Sequence, residues 1–212
     1  MYAPPHFKED RIPVLHDAIR EIAFGSLITY GVDGLTASHV PMLVDPMPAP
    51  SGTLRGHVAR ANPHWRVSGE ASSALAIFLG PDFYVSPSWY ATKRETGKVV
   101  PTWNYVAIHA HGTLTWFDDR QRLLALVTQL TAAHESARSE PWAVSDAPTD
   151  YIDAMLGGII GFELAITRLD GARKMSQNRP AEDRAGVVRG LNAEDDADTD
   201  AVARIMASNE TP

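Results

Sequence analysis

The chain has 212 residues, 44% of them hydrophobic, which is enough for one sizeable core with a short appendage. With 19 basic and 26 acidic residues its formal net charge is −7, so the chain as a whole does not attract nucleic acid or an anionic membrane surface. The absence of cysteine excludes disulfides, thiolate metal sites and a cysteine nucleophile. Without a signal sequence or a long apolar run, we expect a cytoplasmic protein.

The first part of the chain predicts one helix followed by short strands. Apolar residues recur at helical spacing over residues 13–24, and Gly25 ends that pattern. Residues 26–30 and 35–44 then alternate as a hairpin, whose turn uses Asp33 and Gly34 as residues with positive φ. A third strand is predicted over residues 53–58.

The middle of the chain alternates between strands and breaks. Asn62 can cap a short helix that has Pro63 in its first turn. A nearly continuous apolar run over residues 73–79 predicts a central strand closed by Gly80-Pro81, and a separate strand follows at 83–86. Residues 91–98 are polar and predict a flexible segment.

Residues 99–117 combine a polar and aromatic segment, typical of a ligand-binding site, with the pattern of a strand. From Val106 to Trp116 apolar and polar residues alternate, which is typical of a half-buried strand. Pro101 lacks an amide donor, so residues 102–105 are predicted to form an entry loop at the strand edge, facing a cleft. The alternative is that Trp103 and Tyr105 are ordinary core aromatics.

The remaining sequence predicts two helices, a last strand and a tail. Asp118 can cap a helix that runs to about residue 137, and a second helix covers 149–156. The last long strand is centred on 162–167. Many short strands with a few inserted helices favour a mainly β fold, a β-barrel with helices. We expect one domain over residues 1–190 and a C-terminal helical tail over 191–212.

Three kinds of site can be weighed from residue types alone. The chain contains no Gly-x-Ser-x-Gly elbow to support nucleophilic catalysis. Histidines on predicted strands could hold a metal or simply bond within a polar face of the sheet; they are His39, His57, His109 and His111. Gly56, His57 and Arg60 stand at a predicted strand-to-helix junction that suits an anion, although Arg55 and Arg60 could also be a solvated surface pair.

Five motifs, in order, resemble the PaiB family. They are Met1-Tyr2-x-Pro4-x-His6-Phe7, Gly56-His57-x-Ala59-Arg60-x-Asn62-Pro63-x-Trp65, Gly80-Pro81-x-x-Tyr84-Val85-Ser86-Pro87-Ser88-Trp89-Tyr90, Val100-Pro101-Thr102-Trp103-Asn104-Tyr105 and Lys174-x-Ser176-Gln177-Asn178-Arg179. That family is described as FMN-binding negative transcriptional regulators. It is similar to the pyridoxamine-phosphate-oxidase-like flavin split barrels.

The resemblance implies a six-stranded Greek-key FMN-binding split barrel with peripheral α-helices, which forms a homodimer and holds FMN at the subunit interface. It assigns His57 and Arg60 to the FMN phosphate. The residues implied for the ring and ribityl chain are Trp89, Tyr90, Lys93, Thr102, Trp103 and Asn104. Lys174, Ser176 and Gln177 are implied to close the site from the other subunit.

The function implied is regulation or a small flavin-dependent oxidoreductase, in which the cofactor supplies hydride or electron transfer. No residue can be assigned as a general acid or base, so enzyme activity stays open. One alternative is a split barrel that binds or degrades haem, using His57, His109 or His111 as iron ligand. Another is a DNA-binding repressor without redox activity, although the sequence shows no helix-turn-helix pattern.

Overall fold

The computed structural model describes residues 1–69, 71–194 and 196–208. Its strands are β1 Lys8–Glu9, β2 Phe24–Gly31, β3 Gly34–Asp45, β4 Thr53–Ala59, β5 Ala71–Val85, β6 Thr102–Phe117 and β7 Ile159–Lys174. Its α-helices are α1 Ile12–Ile22, α2 His64–Val67, α3 Thr92–Thr96, α4 Arg120–Glu135, α5 Thr149–Gly157, α6 Ala181–Leu191 and α7 Ala197–Ser208. Short 3₁₀ turns cover Pro5–Phe7, Pro87–Trp89 and Val144–Asp146.

The strands form one sheet in the order β1-β7-β4-β3-β2-β5-β6, and β6 also pairs with β7. This second pairing closes β2 to β7 into a ring of six strands. The seventh strand is the two-residue β1, which pairs with β7 at Ala172 and Gly171. The predicted mainly β fold with peripheral helices is confirmed, with one strand more than expected.

The chain divides into two compact units. The first unit contains residues 1–11, 79–108 and the described residues from Asp170 onward, and the second contains Ile12–Phe78 and His109–Leu169. The first unit's core is built by Val85, Tyr90, Met175, Val187, Leu191, Val202, Ala203 and Met206. The second unit buries, among others, Leu15, Ile19, Leu27, Met42, Leu54, Phe78, Leu114, Leu123, Phe162 and Leu164.

The C-terminal helix α7 contributes three buried side chains to the first unit's core, Val202, Ala203 and Met206. The domain boundary expected after residue 190 stays a prediction, and residues 209–212 of the expected tail lie outside the described residues. No helix in the described part of the chain is both long and apolar enough to cross a bilayer.

The structure differs from the sequence prediction at the end of the first helix and at the predicted end of a strand. Helix α1 ends at Ile22 because Ala23 takes a left-handed conformation with φ 56°, whereas Gly25 lies inside strand β2. Strand β5 continues through Gly80-Pro81, so the two strands predicted around this dipeptide are one. Its registered pairing with β2 ends at Ile77, so Pro81 removes no donor from that ladder.

Several local assignments shift by one or more residues. Asp119 rather than Asp118 caps α4, since its carboxylate accepts from the Arg122 amide at 2.8 Å. Helix α2 begins at His64, whose amide donates to the Asn62 side chain at 3.0 Å. In the hairpin turn only Gly34 has a positive φ, 98°. The segment predicted to be flexible contains the short helix α3.

Strand β6 begins earlier than the alternation predicted. It includes residues 102–105, which the sequence placed in an entry loop. Ile108, Ala110 and Leu114 are buried as the alternation requires, but Ala107 is buried too. The likewise extended β7 reaches Lys174, well beyond the predicted 162–167.

A buried polar network surrounds His64 in the second unit. The His64 ring nitrogens lie 2.9 Å from Thr29 Oγ1 and 2.8 Å from Ser38 Oγ, and Asn62 donates to that serine at 2.9 Å. The Ser68 hydroxyl donates to the His64 carbonyl at 2.9 Å. Burial lowers the pKa of His64 from its ordinary value of 6.5, so the folded state keeps this ring neutral.

This buried histidine makes stability depend on pH. Below pH 6.5 the unfolded chain binds a proton that folded His64 does not, so the free energy of unfolding decreases as pH falls, until the folded ring itself titrates. Chemical unfolding of the wild type and of His64→Gln between pH 7.5 and 5 measures this. We expect a shallower pH dependence in the variant; parallel curves would refute it. The pKa of His57 is also lowered by burial, so a residual slope should remain.

Candidate functional site

Lys174 is the central cation of a polar and aromatic cluster in the first unit. Its ammonium donates to Thr102 Oγ1 and to the carbonyl of Trp103, both at the start of β6. The Phe7 and Tyr105 rings have their centroids 5.8 Å and 5.9 Å from Lys174 Nζ. Burial, together with the charge of Arg179, lowers the pKa of Lys174. The result is a half-buried cation whose position two oxygen acceptors fix.

Asn104 and Ser176 form a buried hydrogen-bonded pair behind this lysine. Asn104 is 0% exposed and accepts from the Ser176 hydroxyl at 3.0 Å. Its amide donates to the Met206 sulfur of α7 at 3.3 Å. Ser176 has φ 59°, a strained conformation for a residue other than glycine. The pair therefore ties the turn after β7 to β6 and α7.

Gln177 stabilises the same turn from within. Its side chain accepts from the Met175 amide at 2.6 Å and donates to the Arg173 carbonyl at 2.5 Å. These two bonds bracket Ser176, so the turn keeps its unusual conformation. The motif that begins at Lys174 is thus a rigid turn that holds the charge of this lysine in a fixed position.

The aromatic residues of the first unit differ in what they present. Trp103 is 53% exposed and meets Tyr84 edge to face, with 6.0 Å between ring centroids. Tyr90 is buried, with the Arg179 guanidinium 4.7 Å from its ring centroid, and burial raises the pKa of its hydroxyl. Trp103 therefore offers accessible ring surface, whereas Tyr90 belongs to the core.

Trp89 and Lys93 lie beside helices α6 and α3. A Cβ atom added to Gly190 would fall 2.2 Å from the Trp89 indole, so only glycine lets α6 approach that ring. Lys93 is exposed and donates to Ser88 Oγ at 3.0 Å. The start of α3 is held by Asp183, which accepts from the Thr92 amide at 2.9 Å and hydroxyl at 2.7 Å.

The predicted phosphate residues His57 and Arg60 lie in the second unit, on β4 and just after it. His57 is half-buried, and its Nδ1 has no hydrogen-bond partner among the described residues. The Arg60 guanidinium donates to the carbonyls of Gly157 at 2.7 Å and Ile159 at 3.3 Å, and lies 3.6 Å from the Asp118 carboxylate. Arg60 thus supports the end of α5, where a cation is favourable.

The other side chains weighed for anion or metal binding also have protein partners. Arg55 forms an ion pair with Asp45 at 2.9 Å, and His39 lies 2.9 Å from Ser26 Oγ. Within the described ranges no three histidine or acidic residues converge as a metal site would require. His109 and His111 have ring centroids 6.2 Å apart, and the latter contacts Arg168 at 2.8 Å.

Residues 1–168 match a family model described as "Putative FMN-binding domain". The chain belongs to this FMN-binding family. This confirms the resemblance seen in the five sequence motifs, and FMN is the family's cofactor. Lys174, Ser176 and Gln177 lie beyond the matched residues, so their assignment rests on the PaiB motif and on the geometry above.

Relatives of similar length extend the match to nearly the whole chain. Protease synthase and sporulation protein PAI 2 of Bacillus subtilis is 30% identical over 97% of this chain and 96% of its own. An uncharacterized protein of Aspergillus fumigatus is 36% identical over 90% of each chain. The FAD and haem binding protein of Mycobacterium smegmatis has the same fold, with a TM-score of 0.54 and 15% identity over 84% of this chain and 78% of its own. The split-barrel fold is confirmed.

The first unit of this FMN-binding protein has a donor set that fits a flavin. An isoalloxazine ring needs hydrogen-bond donors along its edge and apolar or aromatic surface for its faces. Lys174 provides a hydrogen-bond donor, and the exposed Trp103 provides aromatic surface. The Thr102 hydroxyl lies beside the lysine. Asn104, Ser176 and Tyr90 are buried, so here they support other residues rather than line open surface.

Sequence reasoning missed the partners that hold this cluster. Tyr105, which lies near Lys174, and Arg179, which lies near Tyr90 and Lys174, both belong to the five family motifs. Their place in those motifs was a sequence signal that could have included them. Met206 had none, because its contact with Asn104 joins residues 102 positions apart.

Replacing Asn104 by alanine should destabilise the first unit. The Ser176 hydroxyl would lose its buried acceptor, at a cost of about 1–3 kcal/mol. Urea unfolding of Asn104→Ala and of the exposed control Asn192→Ala measures the difference. If both variants matched the wild type, the Asn104–Ser176 bond would be energetically unimportant.

Removing the Arg60 side chain should also lower stability, whatever ligand is bound. Arg60→Ala deletes two bonds to carbonyls, one at the end of α5 and one at the start of β7, and we expect a loss of about 1–2 kcal/mol in the free energy of unfolding. Thermal unfolding without FMN tests this, with the exposed Arg94→Ala as control. An unchanged unfolding curve would show that these bonds contribute nothing.

Proposed function

We propose that this protein binds FMN non-covalently as a homodimer and works as a small flavin-dependent oxidoreductase. The observation that carries the proposal is the half-buried ammonium of Lys174, fixed by the Thr102 hydroxyl and by the carbonyl of Trp103, whose side chain is exposed. Bound FMN would supply hydride or electron transfer. A cation held in place stabilises negative charge at the edge of a flavin ring without reorganising.

The residues divide by the roles that their contacts allow. We assign Lys174, Thr102 and Trp103 to the ring and ribityl region, with Trp89 and Lys93 as further members of that group. Tyr90, implied for the same region by the family motif, is buried, so we assign it a supporting role beneath the Arg179 guanidinium. Asn104, Ser176 and Gln177 hold the turn that carries the lysine, because their side chains are engaged within the protein.

His57 and Arg60 remain our proposal for the phosphate. The support is the family motif and a guanidinium at the end of β4. Arg60 already donates to two carbonyls, so we expect it to serve a phosphate through its remaining N–H groups. The unpartnered Nδ1 of His57 adds one further polar atom on that strand.

An exposed apolar surface supports the homodimer. In the second unit Tyr30 and Leu35 are directly paired across β2 and β3, and their exposures are 74% and 77%. Phe24, farther along the same face of β2, is 58% exposed. Large apolar side chains clustered in this way are typical of interaction surfaces. Sedimentation of the purified protein tests the assembly state.

The sequence expectations of transcriptional regulation and of a cytoplasmic location stay predictions. Haem binding is the alternative suggested by the name of the Mycobacterium smegmatis protein. One visible spectrum distinguishes the cofactors, because flavin absorbs in two bands and haem gives a Soret band. A protein that takes up haem and ignores FMN would overturn our proposal.

Neutralising Lys174 should weaken FMN binding. We expect Lys174→Met to raise the dissociation constant for FMN at least about tenfold, because a charge-assisted contact to the flavin is lost. Quenching of flavin fluorescence measures the constant, and the exposed Lys98→Met is the matched control. Equal affinity in Lys174→Met and the wild type would remove Lys174 from the site.

A further inference from the structure

An aromatic cleft lies in the second unit, among residues that the FMN assignment does not use. It has a volume of about 620 Å³, within the range of small-molecule sites. Its apolar walls come from Trp65, Trp116, Phe117 and Ile160, and Arg66 and Asp118 also line it.

The two indole rings are fixed by hydrogen bonds within the protein. Trp65 Nε1 donates to the Arg60 carbonyl at 3.0 Å, and Trp116 Nε1 donates to Ser68 Oγ at 2.8 Å. Trp116 also packs edge to face on Phe162, with 5.7 Å between centroids. Because both N–H groups are used, what these rings offer a ligand is π surface in a fixed orientation. Such surface favours stacking with a flat ring.

Phe117 is fixed in a similar way. The Arg122 guanidinium lies 3.9 Å from its ring centroid, and Arg122 is itself paired with Glu163 at 2.9 Å. The three aromatic walls are therefore preorganised, so little conformational entropy is lost when a ligand binds.

Two charged side chains give the cleft a polar edge of mixed character. Arg66 supplies N–H donors, and its guanidinium lies 4.6 Å from the Trp65 ring centroid. Asp118 supplies carboxylate acceptors and is 70% exposed. A ligand ring with both acceptors and donors on its edge can satisfy both groups. Nucleobases have such edges, whereas plain hydrocarbon rings do not.

We propose that this cleft binds the flat heterocycle of a nucleobase-type ligand, stacked on Trp65 and Trp116, at a site separate from that of FMN. The proposal does not depend on FMN binding. Sequence reasoning did not find the site, because Trp65 and Trp116 stand 51 positions apart and only the folded chain brings them to one cleft.

Calorimetric titration of the FMN-saturated protein with adenosine tests the proposal, and ribose 5-phosphate serves as a probe without a base. We expect saturable binding of adenosine and none of ribose 5-phosphate. Trp65→Leu should weaken adenosine binding at least about tenfold, the loss typical of a stacking contact. Trp142→Leu, which changes a partly exposed tryptophan elsewhere in the second unit, should leave it unchanged.

A second variant distinguishes loss of binding from loss of folding. Arg66→Ala removes an exposed side chain and should weaken adenosine binding several-fold while thermal unfolding stays as in the wild type. Absence of saturable binding, or equal binding in Trp65→Leu and the wild type, would overturn the proposal. Competition between FMN and adenosine would make the cleft part of the flavin site and also overturn it. Adenosine binding to a protein that ignores FMN would instead refute only the proposed function.

Discussion

The candidate flavin site depends on the two hydrogen bonds donated by the ammonium of Lys174. It reaches from the last residue of β7 to two oxygen atoms at the start of β6. A buried or half-buried ammonium is costly unless acceptors surround it, so its position is set by the oxygens rather than by its flexible stem. The rings nearest the charge are those of Phe7 and Tyr105, at 5.8 Å and 5.9 Å, while Trp103 contributes its carbonyl and keeps an exposed side chain.

Buried polar side chains recur in both units, and most are satisfied by short chains of hydrogen bonds. Asn104 and Ser176 do this in the first unit, and His64 with Ser38 and Thr29 in the second. Such networks add little net free energy to the folded state, but a buried polar group left without a partner destabilises it strongly. The networks therefore specify one arrangement of the strands around them. In the first unit that arrangement includes Ser176, at φ 59°, two residues after Lys174.

The two proposed sites use aromatic rings differently. In the first unit the exposed Trp103 side chain belongs to the residue whose carbonyl holds the Lys174 ammonium, and a fixed cation suits a ring that must carry negative charge. Trp65 and Trp116 instead have their N–H groups bonded to protein acceptors, which leaves π surface and a mixed polar edge. The first arrangement suits a redox cofactor, and the second suits recognition of a neutral heterocycle.

The amino-acid sequence by itself determined the mainly β class, the position of most strands and helices, and the family, because alternation, caps and short motifs are local properties. It located Lys174, Thr102 and Trp103 but not their contacts. Only the tertiary structure decided that β5 runs through Gly80-Pro81, that Arg60 supports α5, and that Met206 reaches Asn104. Each of these depends on a neighbour distant in the chain, and pairing between distant residues leaves no periodic pattern from which it could be read.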